Sequence, residues 1–313
     1  MRLVSLADIE AAAHRIRGIA QRTPLIGAPP LLLKSEHLQP MGAFKMRGAA
    51  NFLAQLEPAA LAAGVITYSS GNHGQAVAMA AQRLGARAVV VMPETAPQVK
   101  VDGVRRYGAE VIRAGRTSLE RKAHAEAEAA ARRLTIVPPF DHPWIIAGAG
   151  TCGVEIVEDC PDVAAVYVPV GGGGLLAGVA TAVKALQPHA RVVGVEPVGA
   201  AKMARSRAAG RPVTLDATSS IADGLLPVRP GDLTFAHMQA FVDDVITVDE
   251  DQIRAAVGWL HREAGIRAEP SGAVSVAGAL AANPAGPAVA IISGGNVSPA
   301  DHDALRQSLP RPS

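Results

Sequence analysis

Short runs rich in valine and isoleucine, at residues 31–34, 65–68, 88–92, 110–113, 165–170, 191–195, 245–248 and 288–292, alternate with longer alanine-rich segments. A strand that is apolar on consecutive positions is buried on both faces, which calls for a parallel sheet covered by crossover helices. The alternation restricts the chain to the α/β class. Helix-start signals agree: Thr117 with Glu120, and Asp249 with Gln252 ahead of the run from Ile253 to Leu260, have capping-box spacing. At 313 residues the chain exceeds the usual single core, so one large or two smaller α/β domains are expected. Residues 48–142 are predicted to close on themselves as a small inserted domain, with 1–47 and 143–313 forming the larger one. Pro138, Pro139 and Pro143 mark the chain turn between the two.

Charge and cysteine content narrow the function. The formal net charge is +2 and charged residues are 19%, spread without a basic block, which leaves no footprint for nucleic acid or an anionic membrane. Small-molecule chemistry is the expectation. Cys152 and Cys160 stand in no C-x-x-C pattern, so neither a disulfide scaffold nor a structural zinc site is expected, and a reducing cytoplasm fits. The first 18 residues mix charged and apolar positions without the apolar core of an export signal. The apolar stretch 164–183 contains Pro169 and the run Gly171 to Gly174, which would break a membrane span, and reads as strand, loop and helix.

Four segments carry chemistry. Lys45 follows a glycine turn at Gly42 and opens a helix-forming run from Met46 to Leu56. A lysine held behind Phe44 away from water loses its preference for the ammonium form and becomes a nucleophile. Gly171, Gly172, Gly173 and Gly174 lie between a strand and a helix beginning near Leu175, where free N–H groups and the positive end of the helix dipole favour a phosphate. The same loop also satisfies G-x-G-x-x-A through Gly172, Gly174 and Ala177. With Glu196 at the end of the next strand, a dinucleotide-binding protein without turnover stays open. Ser69, Ser70, Gly71, Asn72 and His73 follow strand 65–68 and suit a carboxylate, although Ser70 or Asn72 also suits a simple cap on a helix from Gln75 to Leu84. Ser293 ends strand 288–292, at the edge where α/β sheets bind ligands.

Taken in order, Lys34-Ser35-Glu36, residues 40–47, 69–75 and 171–175, Gly194-Val195-Glu196-Pro197, Glu269-Pro270-Ser271-Gly272 and residues 293–296 resemble the serine/threonine dehydratase family. This is the fold-type II group of pyridoxal-phosphate enzymes, which includes serine racemases. The resemblance runs from about Thr23 to Asn296. It implies two open, twisted, mostly parallel sheets flanked by helices, as in the tryptophan synthase β chain, and pyridoxal 5'-phosphate as cofactor. It implies that Lys45, flanked by Phe44, carries the cofactor, and that Gly171 to Gly174 with the Leu175 N–H cradle its phosphate. By the same resemblance Asn72 meets the pyridoxal 3'-oxygen and Ser293 the pyridine nitrogen, while Ser69, Ser70, Gly71, Asn72 and His73 bind the substrate carboxylate.

The implied reaction is β-elimination from a β-hydroxy amino acid such as L-threonine or L-serine, giving a 2-oxo acid and ammonia, in a homodimer. Serine racemase and threo-3-hydroxyaspartate dehydratase are the alternatives, with Ser70 as the second acid-base group a racemase needs. Relatives with a divalent-cation site use a glutamate, a backbone carbonyl and an aspartate, where this chain has Glu196, Ala200 and Lys202. The lysine is expected to pair with Glu196 in place of the metal. No regulatory domain is expected after Asn296, so feedback through such a domain is not foreseen.

Overall fold

A computed structural model describes residues 2–69, 71–116 and 118–307. The chain opens with α1 (Leu6–Arg15), β1 (Leu25–Ala28), β2 (Leu31–Lys34), α2 (Lys45–Leu53) and α3 (Pro58–Ala63). It continues through β3 (Val65–Tyr68), α4 (Asn72–Arg83), β4 (Ala88–Met92), α5 (Gln98–Arg105), β5 (Glu110–Arg113), α6 (Ser118–Arg132) and β6 (Thr135–Ile136). Then come α7 (Pro143–Asp159), β7 (Ala165–Pro169), α8 (Gly174–Leu186), β8 (Arg191–Pro197), α9 (Lys202–Ala209) and α10 (Asp232–Phe241). The last described elements are β9 (Asp244–Val248), α11 (Glu250–Ala264), α12 (Pro270–Ala282), β10 (Ala288–Ile291) and α13 (Pro299–Gln307).

The strands form a six-stranded sheet in the order β1-β2-β10-β7-β8-β9 and a four-stranded sheet in the order β5-β4-β3-β6. All pairings are parallel except β1 with β2. The α/β class and the two mostly parallel sheets are as expected. The runs at β4, β7 and β10 are buried at every position, which is why an unbroken apolar pattern revealed them. Two strands are additions to the eight foreseen: β1, half-buried at the edge of the larger sheet, and β6, two residues at the edge of the smaller. The Asp249 capping box forms, with the Gln252 N–H donating to Asp249 at 2.8 Å. Thr117 lies outside the described residues. Among the described residues no helix is long and apolar enough to cross a membrane.

The larger sheet places three loops side by side. β10 lies between β2 and β7, so the chain leaving β10 at Ser293 emerges between the Lys45 segment after β2 and the glycine loop after β7. Backbone bonds join the first two: the Phe44 N–H donates to the Ser293 carbonyl at 3.0 Å and the Gly295 N–H to the Gly42 carbonyl at 2.9 Å. The smaller sheet adds the loop after β3, which leads into α4.

Candidate active site

Lys45 is the first residue of α2, one position earlier than the sequence pattern placed the helix start. Its Nζ donates to the Pro139 carbonyl at 2.6 Å and stands 5.1 Å from the centre of the Phe44 ring. It faces a small chamber of about 10 Å³ lined also by His73, Pro139, Gly174 and Leu175. Desolvation there pushes its pKa down to about 8, so about a tenth is free amine at pH 7 and about half at pH 8. This is the state a nucleophilic or proton-abstracting lysine requires.

Two helix N-termini reach the chamber. Gly174 and Leu175 belong to the first turn of α8 and His73 to the first turn of α4, and neither helix has a side-chain cap. Their N–H groups are therefore available to anions. Gly173, the N-cap of α8, has φ of +97°, and a Cβ there would lie 2.8 Å from Met203 and 2.9 Å from Thr234. Only glycine satisfies both the left-handed backbone and the close approach. The Thr234 hydroxyl donates to the Gly172 carbonyl at 2.7 Å and fixes the loop from behind. A bare peptide loop at an uncapped helix start, beside an amine of lowered basicity, fits a phosphate-bearing aldehyde.

The loop after β3 is arranged differently from the expectation in two respects. α4 begins at Asn72 rather than Gln75, so Asn72 and His73 sit in its first turn, and no side chain caps it. The His73 Nε2–H is donated to the Val137 carbonyl at 3.1 Å, which leaves Nδ1 without its proton. Burial first, and then the Lys45 charge, push the ring's pKa down to about 3, so the imidazole is neutral. His73 thus offers a carboxylate only its backbone N–H. Ser69 accepts a long bond, 3.4 Å, from the Gly71 N–H, and Ser70 lies outside the described residues. Ser293 is buried and donates to the Ser271 carbonyl at 3.3 Å.

One partner was not assigned from the sequence. Asn72 donates to Glu269 at 2.6 Å and accepts from Asn296 at 2.7 Å. Burial pushes the Glu269 carboxyl up to about 7 from 4.5, despite the stabilising Asn72 bond. A carboxyl raised in the folded state binds an extra proton there, so the stability it contributes is present below about pH 4.5 and lost as pH rises through about 7. Glu269→Gln, which keeps the acceptor and loses the charge, is expected to be more stable than wild type by about 3 kcal/mol at pH 8 and equal to it at pH 4. Thermal melts of the cofactor-free protein at the two pH values check this, and an equal difference at both would contradict it.

Glu196 and Lys202 are both fully buried and pair at 3.0 Å. The Lys202 ammonium also donates to the carbonyls of Val170 at 2.8 Å, Leu225 at 2.9 Å and Ala200 at 3.0 Å. Desolvation lowers its pKa and Glu196 opposes that shift. The Glu196 oxygens further accept from the N–H groups of Met203 and Ala204 at 2.9 to 3.1 Å. The acid that a dinucleotide site would present to ribose is therefore committed to the interior, and that alternative fails on this residue.

Behind Lys45, Arg47 is buried in a charged quartet. Its guanidinium donates to Glu36 at 2.7 and 2.8 Å and to Glu155 at 2.7 Å, while Lys34 donates to Glu155 at 2.6 Å. Two cations meet two carboxylates, and β2, α2 and α7 are tied together two residues from Lys45.

Comparison with known proteins agrees with this geometry. Residues 16–294 match the family described as pyridoxal-phosphate dependent enzyme. The chain is 43% identical to the biosynthetic L-threonine dehydratase of Pasteurella multocida over 85% of its own length, but spans only 53% of that protein. It is 41% identical to the L-threonine ammonia-lyase of Geobacter sulfurreducens, covering 92% of this chain and 75% of the relative. The structure of maize serine racemase superposes with a TM-score of 0.93 at 36% identity, covering 96% of each chain.

Proposed function

This chain belongs to the family of pyridoxal-phosphate dependent enzymes, and from that premise we propose that it is an ammonia-lyase acting on a β-hydroxy amino acid, with L-threonine or L-serine as substrate. The observation that carries the reading is the single chamber reached by the Lys45 amine and by two uncapped helix starts. Around it stand one reactive amine and two sets of free N–H donors, one suited to the cofactor's phosphate and the other to the substrate's carboxylate. Gly171 to Gly174 with the Leu175 N–H would hold the phosphate. The N–H groups at the start of α4, with Ser69, would hold the carboxylate.

Pyridoxal phosphate, when bound, supplies the electron sink that makes the substrate's Cα proton removable. Lys45, freed by the incoming amino acid, accepts that proton, because a lysine with a pKa of about 8 is partly unprotonated at working pH. Ser293, Asn72 and Phe44 would surround the ring. A neutral serine such as Ser293 near the pyridine nitrogen would leave it a weaker electron sink than an aspartate would, which would favour loss of the β-hydroxyl. Residues 48–142 are read as the smaller domain, the assembly as a homodimer and the compartment as the cytoplasm.

The similarity to maize serine racemase favours one second reading, with Ser70 acting on the far face of the cofactor. A chiral product assay over L-threonine, L-serine, D-serine and threo-3-hydroxyaspartate separates the readings. The ammonia-lyase reading expects 2-oxo acid and ammonia in equal amounts from L-threonine or L-serine. D-serine from L-serine without oxo acid would replace it with the racemase.

We also propose that the Lys202 ammonium occupies the place a divalent cation takes in relatives, since four oxygens lie within 3.0 Å of it. Activity is then expected to be unchanged by EDTA. Loss of activity in EDTA that Mg²⁺ restores would contradict this.

A further inference from the structure

The chain passes from β6 back toward α7 through residues 137–142, and this crossing touches Lys45, His73 and the glycine loop. Its two ends are fixed. The Val137 N–H donates to the Ile66 carbonyl at 2.8 Å, while the Val137 carbonyl accepts from Thr67 at 2.9 Å and from His73 at 3.1 Å. At the far end the Asp141 carboxylate accepts from the N–H groups of Asp232, Leu233 and Thr234 at 3.0 to 3.1 Å, and His142 accepts from the Trp144 N–H at 3.1 Å. Pro138 and Pro139 restrict the backbone between these anchors. Phe140 is therefore a half-buried side chain on a backbone held at both ends.

The ring of Phe140 lies on the glycine loop. A Cβ placed on Gly172 would come within 2.3 Å of the ring, and one on Gly174 within 3.1 Å of the Phe140 Cβ. On its other side the ring lines a cavity of about 360 Å³ that it shares with Phe52, Tyr68, Pro138 and His142. This pocket is partly open to solvent and larger than the closed cavity of about 150 Å³ that holds a benzene molecule, so it has room for the ring. Next along the chain, the Pro139 carbonyl holds the Lys45 amine.

We propose that Phe140 is the gate of the cofactor site: its ring covers the glycine loop, turns into the neighbouring cavity to let the phosphate in or out, and returns to close over it. The gate rests on the reading of Gly171 to Gly174 as the phosphate cradle. A gate differs from a simple contact in its kinetics. Removing a contact speeds release alone, whereas removing a gate speeds entry and release together and leaves the equilibrium nearly unchanged.

The test compares wild type, Phe140→Ala and Phe140→Leu. Release of pyridoxal phosphate from each holoenzyme is followed after dilution into a trap, and uptake by each cofactor-free protein is followed by visible absorbance, with thermal melts as the control on folding. Phe140→Ala is expected to raise both rates by about tenfold or more while the dissociation constant changes by less than about threefold, and Phe140→Leu, which keeps bulk, is expected to stay within about threefold of wild type in both. Unchanged rates in Phe140→Ala, or a faster release with unchanged uptake, would overturn the gate while leaving the cradle in place. No cofactor uptake by wild type would overturn the cradle as well.

Discussion

Replacing Lys45 by alanine is expected to lower turnover of L-threonine by about 10⁴-fold or more, while the cofactor-free protein melts at the same temperature as wild type or higher at pH 7. The activity loss follows from the amine's double duty as attachment point and proton acceptor. The stability result follows from its burial. A lysine whose pKa falls from 10.5 to about 8 on folding releases a proton, so the chain gains stability as pH rises from about 8 to 10.5 and carries the full penalty below pH 8. That penalty is at most about 3 kcal/mol, and alanine removes it along with the 2.6 Å bond to Pro139. Alanine is also the best helix former at the first position of α2. A side chain that destabilises the fold and yet is required for turnover is one retained for its chemistry. A Lys45→Ala protein that still turns over substrate, or one that fails to fold, would contradict this account.

Arg47→Met is expected to destabilise the protein by about 3 to 5 kcal/mol, a drop in Tm on the order of 10 °C. The guanidinium lies between Glu36 and Glu155 with 1% of its surface exposed. Without it, two carboxylates share Lys34 alone. Burial pushes the Glu36 carboxyl up, but the Arg47 charge and hydrogen bonds outweigh this and hold it below its usual 4.5. That pairing contributes stability above about pH 4.5 which is lost as pH falls through the folded value, so the deficit of Arg47→Met is expected to shrink in acid. Adding Glu155→Gln to Arg47→Met is expected to restore part of the loss, because one unpaired charge is then removed. Calorimetric melts of the two single variants and the double variant measure the coupling. A double variant no more stable than Arg47→Met would refute the paired-charge explanation.

Much of the fold was legible because burial leaves a mark on composition. The central strands β7, β8 and β10 of the larger sheet are apolar at consecutive positions for the same reason that they are buried on both faces. β1 and β6 left no such mark, since edge strands bury one face and β6 has only two residues. The places of Lys45 at a helix start and of the glycine loop between a strand and a helix were readable from the local order of residue types. The Asn72–Glu269 bond was not, because it joins residues 197 positions apart and only tertiary packing brings them together. Nor was the cover of Phe140 over Gly172, for a phenylalanine between prolines carries no sign of what it packs against. The bond of the His73 ring nitrogen to the Val137 carbonyl was not readable either, because it joins residues 64 positions apart.

The central claim is that Lys45 carries the cofactor. Borohydride reduction of the holoenzyme, followed by proteolysis and mass analysis, tests it most directly. The account predicts one reduced phosphopyridoxyl group per chain, located on Lys45. The same group on another lysine, or none on any peptide of a protein saturated with pyridoxal phosphate, would contradict it.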